Sequence, residues 1–536
     1  MSMTNKKLAL SFLVASVMLP QFSGAQTSYN GAARNTKIEE FSGKISRTSQ
    51  ALGISGYEIE PAAAPAVPAP ALNKAAPQDF SGPEPVSYAG TAVTIWHALG
   101  TQIADLGWIP GTGAPSFEAI SERVIKASKS AAYPARQAGQ PSLFTDPGFI
   151  AEFEQATGAA FSSGNYARFL IDGEASFEAK DALIKNARKS LLVSSWAFYD
   201  DTTGYEAARM LIAKKNEGVS VQVMIDDTVS ASHGKKVVKL MQDAGVEVLR
   251  HTDLDRSGDI WHVKVMIADD KYAVAGGMNF GDVYSHKAGT IKWRDTDVLF
   301  SGPSVIAAKK LLAGEWNNQV SSRKLGYKTV DVRGPQNAEF EGGSARVAVV
   351  LQNPPKTSPI LVSIIKAMYG ATKRINIENA YFVAIPAVTQ AVLEARARGI
   401  EVNILTNSKE SIDAEGKPIV DAMAKCLIPL LQSGVNIYLK QGTMQTLHSK
   451  FMTVDGEFAD IGSYNLHPRG ERIDTEVNIN ILDRSAVYQL DMAFLLDLSA
   501  ARKITSPKEL ETKPGLVSQI MGQFFYAQLS PGQLKK

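Results

Sequence analysis

The stretch HVKVMIADDKYAVAGGMN, His262–Asn279, decides how this chain folds. It reads as a strand (HVKVMIA), a turn at Asp269-Asp270 and a returning strand (YAVAGG). On a strand, residues i and i+2 face one side, so His262 and Lys264 share a face. Asp269 has the opposite parity and stands where an Asp-Asp pair begins a turn, a place that orients structure rather than one that touches substrate first. The returning strand ends at Asn279, which the hairpin carries back beside the histidine–lysine face.

A second copy follows. LHSKFMTVDGEFADIGSYN, Leu447–Asn465, repeats the pattern H-x-K, four residues, D, six residues, G-x-x-N. The offset is 448 − 262 = 186, and it also relates Lys450 to Lys264, Asp455 to Asp269, Gly462 to Gly276 and Asn465 to Asn279. A lone H-x-K is a weak signal. Five identities in register, found twice, are a strong one.

The flanking sequence repeats as well. LIDGEASFEAKDALIKNARKSLLVSSWAFY reads as strand, helix, strand, and YEAARMLIAKKNEGVSVQVMIDD as a helix ending near Gly218 and a buried strand. LVSIIKAMYGATKRINIENAYF and AVTQAVLEARARGIEVNILTN return the same order. Alternation of this kind predicts an α/β fold with two mostly parallel sheets flanked by helices, built by duplication from halves at residues 161–335 and 336–515.

Outside the halves the chain changes character. Lys6, Lys7, the apolar LALSFLVASVML and the small Ser23-Gly24-Ala25 make residues 1–25 a secretory signal, too short for the roughly 20 residues of a membrane span. Export to the periplasm or medium is therefore expected. Residues 26–89 form a polar, Pro/Ala-rich linker, with seven of the 25 prolines between Pro61 and Pro85. Residues 90–160 read as an accessory region without evident chemistry, and residues 516–536 as a tail.

The chain of 536 residues is 45% hydrophobic and 21% charged, ordinary for a soluble protein with a large core. A net charge of +2 excludes a global field for nucleic acid or an anionic membrane, leaving local patches open. Cys426 is the single cysteine, so no intrachain disulfide forms.

Histidine, lysine and asparagine together suit a phosphoryl group. Imidazole serves as nucleophile or general acid near neutral pH. Ammonium and amide groups donate to phosphate oxygens as charge develops. Two facing sets meet the needs of double displacement: one histidine attacks phosphorus, and the other protonates the leaving oxygen and then deprotonates the incoming water or alcohol. The lysines supply the positive charge, and the chain carries no H-E-x-x-H or cysteine cluster, so neither metal nor cofactor is expected.

These paired motifs resemble those of the phospholipase D superfamily over roughly residues 165–510. The resemblance implies that both motifs meet in one active site at the interface of the halves and that a phosphohistidine forms. It assigns chemistry to His262 and His448, with His262 as nucleophile by analogy with two-motif relatives, and phosphate contacts to Lys264, Lys450, Asn279 and Asn465. Asp269 and Asp455 complete the candidate catalytic set. It also implies an acidic residue downstream of each motif that holds a histidine. WRDTDVLF offers Asp297 and RIDTEVNI offers Glu476, each after an Asp-Thr pair, at intervals of 297 − 279 = 18 and 476 − 465 = 11 residues. Gly277 stands where the second copy has Ser463, so the half-sites are not equivalent. The longer first interval carries His286, Lys292 and Trp293, either at the mouth of the site or in a solvated loop. His97, His233, His251 and His467 lie outside the frame and read as surface or packing residues.

Around the motifs, AFYDDTTG, IENAYF and WRDTD resemble bacterial cardiolipin synthases and related phospholipases D. That resemblance implies a phospholipid substrate, peripheral membrane contact and cleavage or transfer of phosphatidyl groups. With both motifs on one chain, no obligate partner is expected. An exported metal-independent nuclease, with nucleic acid as substrate, and a non-catalytic binding protein on this fold are the alternatives.

Overall fold

The structure, a computed structural model, describes residues 116–253, 260–334, 340, 342–354, 357–414 and 416–511. The signal, the linker, the first part of the accessory region and the tail lie outside them.

The first half supplies β1 (Ser162–Ile171), β2 (Ser190–Ser195), β3 (Ser220–Asp226), β4 (Glu247–His251), β5 (Ile260–Trp261), β6 (Val265–Ala268), β7 (Tyr272–Gly276) and β8 (Thr296–Ser301). The second supplies β9 (Ala345–Gln352), β10 (Arg374–Asn379), β11 (Glu401–Asn407), β12 (Asn436–Lys440), β13 (Lys450–Val454), β14 (Phe458–Gly462), β15 (Asp474–Leu482) and β16 (Ala501–Ile504). Their spatial order is β16-β12-β11-β10-β13-β14-β15-β9-β1-β8-β7-β6-β2-β3-β4. Reading outward from the central β9–β1 contact, the two halves repeat one order. The duplication is thus visible in the topology.

Strand direction departs from the expectation of two mostly parallel sheets. The halves share one continuous path, joined by antiparallel pairing of β1 with β9. Between the named strands, parallel pairing joins β2–β3–β4, β10–β11–β12 and the short β5–β15 contact. The helices Thr202–Asn216 and Lys235–Asp243 cross over in the first block, and Pro386–Ala397 and Val420–Gln432 in the second. The motif strands β6–β7–β8 and β13–β14–β15 follow one another antiparallel. For β6–β7 and β13–β14 the reason lies in the connection: a strand that returns through a short turn must run antiparallel, and only a long crossover permits the parallel direction.

The motif hairpins turn where Asp269 (φ 54°) and Asp270 (φ 57°), or Asp455 (φ 56°) and Gly456 (φ 72°), hold left-handed backbone. That geometry matches the twist of the flanking strands. Helices Phe117–Ser128 and Pro147–Thr157 pack on the second half, where Phe144 stacks on Phe458 at 5.4 Å and Lys366 pairs with Glu152 at 3.3 Å. Among the described residues no helix is long and apolar enough to cross a membrane.

Candidate active site

Each motif histidine is anchored by the opposite half. The His262 N–H donates to Thr475 O at 2.9 Å, and the His448 N–H donates to Arg294 O at 2.7 Å. The residue after each of these acceptors carries a carboxylate. Glu476 Oε2 lies 2.8 Å from His262 Nδ1, and Asp295 Oδ2 lies 2.7 Å from His448 Nδ1. Both imidazoles therefore have Nδ1 engaged, which orients the ring and leaves Nε2 for chemistry.

The carboxylate on His448 is Asp295, not Asp297. Sheet register explains the difference. Gly276 pairs with Asp297, and Gly462 pairs with Asn478, so Asp297 matches Asn478 rather than Glu476. Asp297 Oδ1 accepts from Met278 N at 3.3 Å, as Asn478 Oδ1 accepts from Tyr464 N at 3.2 Å. The other oxygen of Asp297 takes Ser176 Oγ at 2.5 Å and Lys180 Nζ at 2.8 Å. Asp297 thus closes a buried ion pair behind the site, and the shared Asp-Thr in the sequence is out of structural register. Aligned on the strands, the intervals become 295 − 279 = 16 and 476 − 465 = 11.

Gly277 is part of the same arrangement. A Cβ there would stand 2.2 Å from Asp295 Oδ1. Ser463, its counterpart, instead donates its hydroxyl to Glu476 Oε2 at 2.5 Å. One half-site uses a glycine to admit an aspartate, and the other a serine to hold a glutamate.

A family description, "Cardiolipin synthase, PLD-like domain", matches residues 181–286 and 364–497, one segment around each motif. The chain belongs to the phospholipase D superfamily. It is 27% identical over 427 residues to cardiolipin synthase A of Pseudomonas putida (strain GB-1), a match covering 78% of this chain and 81% of that relative. It is 28% identical over 361 residues to cardiolipin synthase A of Pseudomonas entomophila (strain L48), covering 65% and 72%. Among solved structures, phosphatidylserine synthase of Haemophilus influenzae Rd KW20 shares the fold, with a TM-score of 0.58 at 16% identity, covering 71% of this chain and 98% of that one.

The remaining motif residues of this phospholipase D-superfamily chain divide by location. Lys264, Lys450, Asn279 and Asn465 are all buried. Lys264 Nζ donates to His262 O at 2.7 Å, and Lys450 Nζ donates to His448 O. Asn279 Nδ2 donates to Tyr284 Oη at 3.1 Å, whereas Asn465 Oδ1 has no hydrogen-bond partner among the described residues. Asp269 and Asp455 stand apart from this group. Asp269 accepts from the N–H groups of Arg188, Lys189 and Ser190, the nearest at 2.7 Å, and Asp455 from those of Thr372, Lys373 and Arg374, the nearest also at 2.7 Å. Five residues of strand beyond Lys264 put Asp269 about 16 Å away. Both aspartates clamp turns and do not belong among the groups that reach substrate.

Aromatic rings border both imidazoles. Trp196 meets His262 edge-on at 5.9 Å, and Trp293 stacks on His448 at 5.3 Å. Trp293 is held in place by His286, whose Nε2 lies 2.8 Å from Trp293 O. Of the interval after Asn279, Trp293 therefore lines the site, while Lys292 pairs with exposed Glu174 at 3.3 Å. His251 stacks on Trp261 at 4.2 Å and meets Glu315 at 2.9 Å, a packing role next to the first motif.

Sequence reading did not single out Arg294. Its guanidinium is buried between the halves, 2.8 Å from Asp497 through Nε, 2.6 Å from Thr296 Oγ1, and 3.8 Å from Glu378. Its N–H donates to Thr446 O at 2.8 Å and its carbonyl accepts from His448 N–H, so its backbone brackets Leu447, the residue before His448. A basic residue directly before the histidine-holding acid is the only sequence signal for it, and that acid was itself two residues out of register.

Burial and the two lysines set the charge state. Burial, then Lys264 and Lys450, push His262 well below the ordinary imidazole value. Burial and Lys450 bring His448 down to about 4, with Asp295 opposing. Burial acts to raise Asp295, but His448 beside it prevails and holds the carboxyl below its ordinary value. Burial and Asp474 hold Glu476 well above its own. Burial also lowers Lys264 to about 7 and Lys450 to about 8. An arriving phosphate diester would restore their charge.

Proposed function

We propose that this chain is an exported phosphatidyltransferase or phospholipase D that acts on phospholipids at a membrane surface through a covalent phosphohistidine. The observation that carries the reading is the cross-half pairing of His262 with Glu476 and His448 with Asp295. It makes one site from two motifs. The similarity to cardiolipin synthases supports a lipid substrate, and residues 1–25 support export.

In the first step His262 Nε2 attacks phosphorus, a P–N bond forms, and the P–O bond to the leaving alcohol breaks. His448 gives that oxygen its proton. Burial and the lysines leave both imidazoles neutral in the empty site, and the ionised Asp295 opposes that lowering at His448, which suits His448 to take up the proton when an anionic phosphate arrives. In the second step His448 removes a proton from water or an alcohol, whose oxygen displaces His262 from phosphorus. Lys264, Lys450, Asn279 and Asn465 hold the phosphate oxygens as negative charge builds.

The test incubates purified protein with phosphatidylglycerol vesicles, phosphatidylcholine vesicles and plasmid DNA, with EDTA present. Headgroup release or cardiolipin formation is expected, with His262→Ala and His448→Ala each abolishing it. DNA nicking without lipid turnover would establish the nuclease instead. Absence of all three activities would leave a binding protein.

A further inference from the structure

A third histidine stands at the site. His467 lies two residues past Asn465 and is only 8% exposed, yet its Nδ1 has no hydrogen-bond partner among the described residues. A buried polar atom without a partner calls for an explanation. Tyr381 connects it to the reacting groups, with its ring 6.4 Å from His467 and 6.1 Å from His448. His262 and Lys450 are also within electrostatic reach of His467.

The first half has no histidine at the matching position, and the imidazole that Trp196 links to His262 there, His233, has its Nδ1 bonded to Ser232 Oγ at 2.7 Å. At the offset of 467 − 186 = 281 the first half carries Gly281, where a Cβ would stand 2.8 Å from the Tyr199 ring. The buried imidazole with an unpartnered Nδ1 therefore lies on the second-motif side of the site.

Its chemistry points to a hydroxyl. Lysines and asparagines already serve the phosphate, and the nearby carboxylates of Asp295 and Glu476 hold the reacting imidazoles. Burial keeps His467 neutral, with a value of about 4, so one ring nitrogen can accept a hydrogen bond from O–H. Water reaches an open phosphohistidine unaided, but an alcohol must be held against that competition.

We propose that His467 binds the second, non-reacting hydroxyl of a diol acceptor and so sets the split between phosphatidyl transfer and hydrolysis. It rests on the lipid reading above. The acceptor oxygen bonds to phosphorus as the P–N bond breaks, and its proton passes to His448. His467 accepts from the acceptor's second, non-reacting hydroxyl, and so places the reacting oxygen while that oxygen's own proton stays directed at His448.

The experiment measures the ratio of cardiolipin to phosphatidic acid formed from phosphatidylglycerol vesicles by the wild type, His467→Gln and His467→Asn. At least a tenfold fall in the ratio is expected in both variants, whatever their total rate. A ratio within twofold of wild type overturns the role of His467 while the lipid reading stands. Wild-type protein that forms only phosphatidic acid also overturns that role and leaves a hydrolase. A wild type that turns over no lipid overturns the functional reading itself. Should neither variant fold, deuterium exchange at the His467 ring carbon of the wild type, followed by mass spectrometry with and without molar glycerol, supplies the test. Slowed exchange supports the contact, and unchanged exchange overturns it.

Discussion

His448 Nδ1 lies 2.7 Å from Asp295 Oδ2 although 153 residues separate them, and the two belong to opposite halves of the chain. Neither half therefore holds a complete histidine–carboxylate pair of its own. Asp295→Asn should lower kcat by about a hundredfold or more, in the range for losing support of general acid–base catalysis. Asp297→Asn should retain more than a tenth of kcat but leave Lys180 buried without its partner, costing about 3 kcal/mol of stability. Steady-state kinetics and thermal unfolding of the two variants separate these roles. A larger kcat loss in Asp297→Asn would show that the register assignment is wrong.

The Gly277 contact with Asp295 leads to an unequal effect of swapping the two half-site residues. Gly277→Ser must displace Asp295 or distort the backbone, because its Cβ would stand 2.2 Å from Oδ1. A fall in kcat of about a hundredfold is expected. Ser463→Gly opens space and removes one hydrogen bond to Glu476, a loss of about 1 kcal/mol and less than tenfold in kcat. Equal losses would argue that Gly277 has no steric role.

Phosphate affinity should fall as pH rises. Lys264 at about 7 and Lys450 at about 8 in the empty site lose their charge across that interval, and only the charged form attracts phosphate oxygens. Bound phosphate raises both values, so binding takes up protons. The inhibition constant of orthovanadate, measured from pH 6 to 9, should worsen by about tenfold per pH unit for each lysine that has to be reprotonated. A flat profile would mean that both lysines stay charged without ligand.

Asp460 should make the protein less stable at alkaline pH. It is buried on β14, accepts from Asn478 Nδ2 at 2.5 Å, and has no partner for Oδ2 among the described residues. Burial raises it to about 7. A carboxyl raised on folding favours the protonated folded state, so its contribution is lost as pH climbs from about 4 to about 7. Asp460→Asn should raise Tm at pH 8 more than at pH 5, with a gain of up to about 4 kcal/mol above pH 7. The reverse order in thermal melts would refute the assignment.

Much of this protein is local and therefore legible in its residues. H-x-K with a downstream asparagine, written twice at an offset of 186, establishes the duplication and the phosphoryl chemistry. Helix-ending glycines such as Gly218 (φ 90°) and Gly399 (φ 82°) mark the α/β crossovers because few other residues adopt that backbone. The motif aspartates likewise announce turns through their own side-chain chemistry.

Other features depend on which strands meet and in what register. The antiparallel direction of β6–β7 and of β13–β14 follows from their short turns, which alternation of helix and strand does not reveal. Asp295, rather than Asp297, reaches His448 because Gly276 pairs with Asp297 across β7 and β8. A side chain two residues along a strand keeps its face but sits about 7 Å farther on, too far to exchange one carboxylate for the other. Arg294 gains its surroundings only when the halves close on each other, and His467 when the segment after Asn465 folds against Tyr381 of the same half. The sequence by itself determined the candidate reacting groups, since histidine, lysine and asparagine carry their chemistry with them. The tertiary structure decided which carboxylate orients each histidine, because a hydrogen bond between residues 153 apart exists only where packing and register bring their atoms within 2.7 Å.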